Sequence, residues 1–239
     1  MKITSKYNKN SNFSYTLGAF PTIEMLINKP KQVQTIYLHS KLSEKILDQI
    51  RKYTENHSIS SIETNDRFIN KLSPKENCYV MGVFEKFDQI LEKNNNHIVL
   101  INPANNGNMG TITRCMLGFG FKNLAVITPA VDIFNPEVIR ASMGAIFHIK
   151  FQYFQDIQEY IAKFPTQHLY TFAKQGDAKL ENLKSQEPSS LIFGNESTGL
   201  TDEHVQLGNS VRIAQTQKID SLNLAISCGI AMHHFFQQF

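Results

Sequence analysis

The sequence predicts an α/β protein in two parts: a small α/β domain over residues 1–92, and a mostly parallel sheet covered by helices over residues 93–239. Three observations predict it. Short apolar runs alternate with helically spaced apolar residues along almost the whole chain. That alternation becomes regular from about residue 97, as expected of strands buried on both faces. Between the two rhythms lies a polar stretch, residues 86–96, that ends in an asparagine run and reads as a boundary. A length of 239 residues with 41% hydrophobic and 19% charged residues suits one large or two ordinary globular domains.

Residues 1–13 are polar and read as a loose arm. From Tyr15 onward an apolar pattern through Ala19, Ile23, Leu26 and Ile27 predicts a helix that stops near Pro30. A strand at 35–39, a helix at 43–53, a strand at 59–62, a helix at 65–72 and a strand at 78–84 complete the first domain. In the second, strands are expected at 97–101, 123–127, 146–151, 168–172, 190–193 and 211–214. The helices between them fall at 109–119, 135–142, 155–163 and 201–206, with a last one at 220–236.

Composition excludes several classes. No stretch resembles a transmembrane helix, and the polar start MKITSKYNKNSN lacks the apolar core of a signal peptide, so a cytosolic protein without a membrane partner is expected. Cys78, Cys115 and Cys228 show neither paired nor metal-site spacing. The adjacent His233 and His234 point about 100° apart on a helix, a poor chelate. No metal is therefore expected. The net charge of +3 lies wholly in residues 1–92, which hold 13 Lys and Arg against 10 Asp and Glu, a slight bias towards a polyanionic partner.

In a parallel sheet ligands gather beyond the carboxyl ends of strands, and three loops there are unusual. The first, NPANNGNMGTITRCMLGFG at 102–120, is a glycine-rich turn between a strand and a helix; it offers backbone N–H groups, with Arg114 one helical turn past Gly110. Asn and Gly crowd many surface loops as well, and the glycine spacing is neither a dinucleotide fingerprint nor a P-loop. The second, LIFGNESTGL at 191–200, ends an apolar strand in Gly194, Asn195, Glu196 and Gly199, and taken by itself reads as a strand-to-helix turn with a Thr201 cap. The third, RIAQTQKIDSLN at 212–223, leads into a helix whose small residues Ala225, Ser227, Gly229 and Ala231 suit close packing within the chain or against a second copy.

In this order, the three loops resemble the motifs of the SpoU (TrmH-like) RNA ribose methyltransferases of the SPOUT superfamily. N-x-G-x-x-x-R is matched by Asn108, Gly110 and Arg114, G-x-E-x-x-G-L by Gly194, Glu196, Gly199 and Leu200, and S-L-N by Ser221, Leu222 and Asn223. RASMGA at 140–145 is similar to a further segment of that family, and residues 1–92 resemble, more weakly, its ribosomal-protein-like RNA-binding domain. The third motif departs from the pattern: Ala214, Gln215 and Gln217 stand where proline, a residue such as methionine, and glycine are usual.

The resemblance implies a deep trefoil knot in the C-terminal domain, a homodimer, S-adenosylmethionine as methyl donor, and the ribose 2′-hydroxyl of ribosomal or transfer RNA as acceptor. It implies cofactor contacts at Gly194, Ile213 and Leu222. It makes Arg114 the activator of the hydroxyl; since a guanidinium essentially never deprotonates, Arg114 is read here as binding a substrate phosphate and steadying the developing alkoxide, with Asn108, Ser221 and Asn223 positioning the ribose and Glu196 orienting Arg114 or the loop. The departures at 214, 215 and 217 motivate one alternative, an RNA-binding protein of the same fold without catalysis. A nucleotide-dependent oxidoreductase fits the sheet pattern and not the glycine spacing.

Overall fold

The structure, a computed structural model, describes residues 7–64, 68–69, 72 and 78–238. In chain order its first elements are β1 (Phe13–Leu17), α1 (Ala19–Asn28), β2 (Val33–His39), α2 (Glu44–Asn56), β3 (Ser60–Thr64), β4 (Val80–Glu85), β5 (His97–Ile101), α3 (Asn106–Gly118) and β6 (Asn123–Ile127). They are followed by α4 (Pro136–Ala141), β7 (Lys150–Phe154), α5 (Ile157–Lys163), β8 (His168–Phe172), β9 (Ala178–Lys179), β10 (Ser189–Phe193), α6 (Asp202–Val205), β11 (Asn209–Arg212) and α7 (Leu224–Phe236). The chain divides into two compact units: residues up to Phe87 together with Asp132–His148, and Asp88–Val131 together with the chain from Ile149 onward.

The first unit holds a four-stranded sheet in the order β1-β4-β2-β3. β4 runs antiparallel to β1 and β2, whereas β3 is parallel to β2, a pairing that requires the crossover supplied by α2. Tyr15, Leu17, Tyr37, Met81 and Val83 pack one core cluster. Residues 13–17 are a strand, not the start of the expected helical pattern. The polar side chains that disguise it are buried and satisfied: Ser14 Oγ donates to the Phe134 carbonyl at 2.5 Å, and Thr16 shares a 2.6 Å bond with Thr22. The helix expected at 65–72 falls largely outside the described residues, as does the start of the expected N-terminal arm.

Segment 132–148 is bound into this unit by chemistry of three kinds. Asp132 accepts from Lys86 Nζ at 3.0 Å and from the Tyr7 hydroxyl. Phe134 and Phe147 pack against Phe84, with Phe87 edge-on to Phe134. His148 Nε2 lies 2.5 Å from Glu24. These contacts correct the strand expected at 146–151. Ile146 and Phe147 form a 3-10 turn buried in the first unit, and the sheet strand begins only at Lys150.

The second unit carries seven strands in the order β7-β6-β5-β10-β8-β11-β9, every recorded pairing parallel. Central strands buried on both faces must be apolar throughout, which is why HIVLI, NLAVI and SSLIF read as near-continuous runs. Their polar residues sit at the amino ends, where His97 lies 2.8 Å from the Tyr160 hydroxyl and 2.7 Å from the Glu92 carbonyl, and burial holds its pKa below the usual histidine value. The carboxyl ends are left to the loops. Among the described residues no helix is long and apolar enough to cross a membrane, and no group of His, Cys, Asp or Glu could hold a metal ion.

Candidate active site

The loops after β5 and β10 are tied together by their asparagines. Asn102 turns the chain out of β5 with φ +50°, a left-handed conformation that asparagine tolerates better than most residues, and its carbonyl accepts from Asn195 Nδ2 at 2.6 Å. Asn105 then caps α3, its side chain accepting from the Asn108 N–H at 2.9 Å. After β10 the chain folds back on itself, with the Gly199 N–H donating to the Asn195 carbonyl at 2.9 Å. The return is so tight that a Cβ on Gly194 would lie 2.1 Å from the Gly199 carbonyl carbon and 2.4 Å from the Leu200 nitrogen. Only glycine fits there.

Glu196 is the hub of this arrangement. Its Oε2 accepts from the Ala104 N–H at 3.0 Å, and its Oε1 from the Asn105 N–H and from Asn108 Nδ2, both at 3.1 Å. Asn108 Oδ1 in turn accepts from Asn223 Nδ2 at 3.0 Å. Asn223 caps α7 through its own oxygen, which accepts from the Ala225 N–H at 2.9 Å. One carboxylate thus fixes the first loop, and through Asn108 it reaches the start of the last helix.

Burial pushes the Glu196 carboxyl up, but the donors of Ala104, Asn108 and Asn105 pull it down by more, so it titrates below the ordinary carboxylate value. The stabilisation of a lowered carboxyl is complete above the unfolded value of about 4.3 and is lost as pH falls through the lowered one. The hub therefore holds throughout the neutral range. Glu196→Gln, which keeps the shape but turns one acceptor into a donor, should speed hydrogen exchange at the Ala104 and Asn105 amides while leaving β6 unchanged. Unaltered exchange at those two amides would contradict the hub.

A cavity of about 370 Å³ opens beside the hub. Its floor is apolar: Phe172 and Phe193 stack at 4.6 Å between centroids, 14° from parallel, with Val211 and Leu224 beside them. Its other walls are Gly194 and Glu196 from the second loop, and Ile213, Gln215, Ser221 and Leu222 from the third. Lys174 and Asp220 are exposed and stand at the rim. An apolar floor beneath charged walls suits an amphiphilic ligand with a flat aromatic end and a charged end.

Seven of the eight residues singled out in the sequence meet here. Asn108, Glu196 and Asn223 are hydrogen-bonded in series, and Gly194, Glu196, Ile213, Ser221 and Leu222 line the cavity. Arg114 does not join them. It is exposed on α3, makes no hydrogen bond or ion pair among the described residues, and is not oriented by Glu196. Six residues on a helix turn the chain by about 600°, so Arg114 faces away from Asn108 and shares a face with Gly107. Of the three departures in the third loop, only Gln215 reaches the cavity; Ala214 and Gln217 are exposed. Sequence reasoning missed Asn102 and Asn105 as organisers of the turn and the Phe172–Phe193 stack. The density of asparagine before Asn108 was the available signal for the first two.

The chain matches the model of the SpoU rRNA Methylase family over residues 95–233. It belongs to that family. Among its relatives, an uncharacterised tRNA/rRNA methyltransferase of Synechocystis sp. is 31% identical over 144 residues, covering 59% of this chain and 53% of that protein. The 23S rRNA (adenosine(1067)-2′-O)-methyltransferase of Streptomyces azureus is 28% identical over 153 residues, 62% of this chain and 56% of that protein. The match thus spans little more than half the length of either relative. In fold, the SpoU methyltransferase AviRb of Streptomyces viridochromogenes, solved in complex with AdoMet, superposes with a TM-score of 0.84 at 19% identity over 97% of this chain and 94% of that one.

Proposed function

We propose that this SpoU chain is an S-adenosylmethionine-dependent RNA 2′-O-ribose methyltransferase that acts on ribosomal or transfer RNA in the cytoplasm. The observation that carries the reading is the hydrogen-bonded series Glu196, Asn108, Asn223 beside a cavity with an aromatic floor and charged walls. Gly194, Ile213 and Leu222 would hold the cofactor, which when bound supplies an electrophilic methyl group on a sulfonium centre. Ser221, Asn108 and Asn223 position the ribose. Glu196 is not the proton acceptor, because both its oxygens already accept N–H groups and its pKa is lowered. Its role is to fix the 102–108 turn. Arg114, an exposed cation without an ion-pair partner among the described residues, binds the phosphate next to the target nucleotide and steadies the alkoxide as it forms.

In this reading, residues 1–92 bind the RNA substrate, and residues 93–239, apart from the 132–148 segment that packs into the first unit, form the methyltransferase domain with its knot. The return of α7 to pack against α3 and β10 after β11 supports the knotted path. The active form is a homodimer with α7 in the interface. Ile226, Ile230 and Phe236 on α7 are 54%, 39% and 55% exposed, a poor arrangement for a helix facing water alone. Ile230→Asp should shift the protein from dimer to monomer in light scattering, and a variant that remains dimeric would remove α7 from the interface. The function is tested by transfer of radiolabel from S-adenosylmethionine to separated ribosomal and transfer RNA pools. Label in one pool supports it; cofactor binding without label in any RNA, mature or precursor, contradicts it.

A further inference from the structure

We propose that Lys174 reads the carboxylate of the cofactor's amino-acid end, and so selects a cofactor that carries a free amino acid over a bare nucleoside. The inference rests on the function proposed above and assigns a role to a residue outside the three sequence motifs. Lys174 lies two residues beyond the end of β8 and is the one cationic side chain lining the cavity among the described residues. Of the two cations of the third loop, Arg212 is occupied by the Gly176 and Asp177 carbonyls, and Lys218 is exposed and does not line the cavity.

The division of the cavity fixes which end of a ligand meets Lys174. The stacked Phe172 and Phe193, with Val211 and Leu224, offer a purine ring an apolar bed and offer a carboxylate nothing. Charge belongs at the rim, where Lys174 is exposed and its ammonium costs little to pair. The other two charged residues of the lining, Glu196 and Asp220, are acidic and repel a carboxylate, whereas they favour an ammonium or sulfonium group. Lys174 Nζ donates to the Ile219 carbonyl at 3.4 Å, and an ammonium has three donors, so two remain for a ligand. That bond holds the cation against the backbone of the residue before Asp220, and with both side chains in the cavity lining the rim carries sites of opposite sign, as a zwitterion requires.

The test is calorimetry with two probes that share the adenosine and the sulfur: S-adenosylhomocysteine, which carries the amino-acid end, and 5′-methylthioadenosine, which lacks it. Lys174→Met should weaken S-adenosylhomocysteine about tenfold, the scale of one charge-assisted hydrogen bond, and leave 5′-methylthioadenosine unchanged. Lys174→Arg should recover most of the loss. Equal weakening of both probes would show that Lys174 merely steadies the loop through Ile219, and no weakening of either would show that it touches neither; both results overturn the proposal and leave the enzyme's function standing. If neither probe binds the unaltered protein, the functional reading falls, and the proposal with it.

Discussion

Arg114→Ala is expected to lower methyl transfer by roughly 10²–10³-fold while leaving the affinity for S-adenosylmethionine unchanged. The two halves of that expectation come from different facts. Arg114 does not line the cavity, so its loss removes no cofactor contact. It is also an exposed guanidinium with no ion-pair partner among the described residues, so its removal leaves no buried group unsatisfied and should barely alter the melting temperature. A guanidinium essentially never gives up its proton in a protein, so its contribution is electrostatic: it holds a phosphate and offsets charge growing on the ribose oxygen. Single-turnover rates and calorimetry on the same preparation separate the two effects. Unchanged turnover would remove Arg114 from the mechanism, and a parallel loss of cofactor affinity would place it in the wrong site.

Gly194→Ala should have the opposite signature, with cofactor binding and stability lost together. The new methyl would sit 2.1–2.4 Å from the backbone of Gly199 and Leu200, and backbone cannot step aside as the end of a flexible side chain can. Relieving the clash means opening the 194–200 return, which carries Asn195 and Glu196 and hence their hold on the first loop. Overpacking of this kind costs about 1–3 kcal/mol, and the cavity wall moves with it. Gly107→Ala is the matched control. Its Cβ would meet only the Asn105 side chain, at 3.1 Å, so a small effect is expected there. Thermal melts and cofactor titrations of the two variants check the contrast, and a Gly194→Ala protein that binds normally would contradict it.

The parts of the structure visible in the sequence are those governed by local rules. β5, β6 and β10 announce themselves because strands buried on both faces have no room for alternation, and Thr201 caps α6 as its position suggested. The starts of α3 and α7 were displaced, because Asn105 and Asn223 choose where each helix begins. Tertiary context decided the remainder. β1 hides behind Ser14 and Thr16, whose partners are far away in sequence or across a turn. The apolar Ile146 and Phe147 look like a strand and are spent on the core of the first unit. In the site, the motifs picked out Asn108, Glu196 and Asn223, but not that Glu196 binds the turn and leaves Arg114 alone. Those bonds join residues about 90 to 115 positions apart, and no local pattern records them.

The most direct measurement locates the transferred methyl group. RNA labelled by the protein from radiolabelled S-adenosylmethionine is hydrolysed in alkali, which cleaves next to every free 2′-hydroxyl and spares the bond beside a methylated one. All label is expected to survive in alkali-resistant dinucleotides, and to fall by roughly 10²-fold or more with Arg114→Ala. Label released in mononucleotides would place the methyl on a base and contradict ribose methylation by this site.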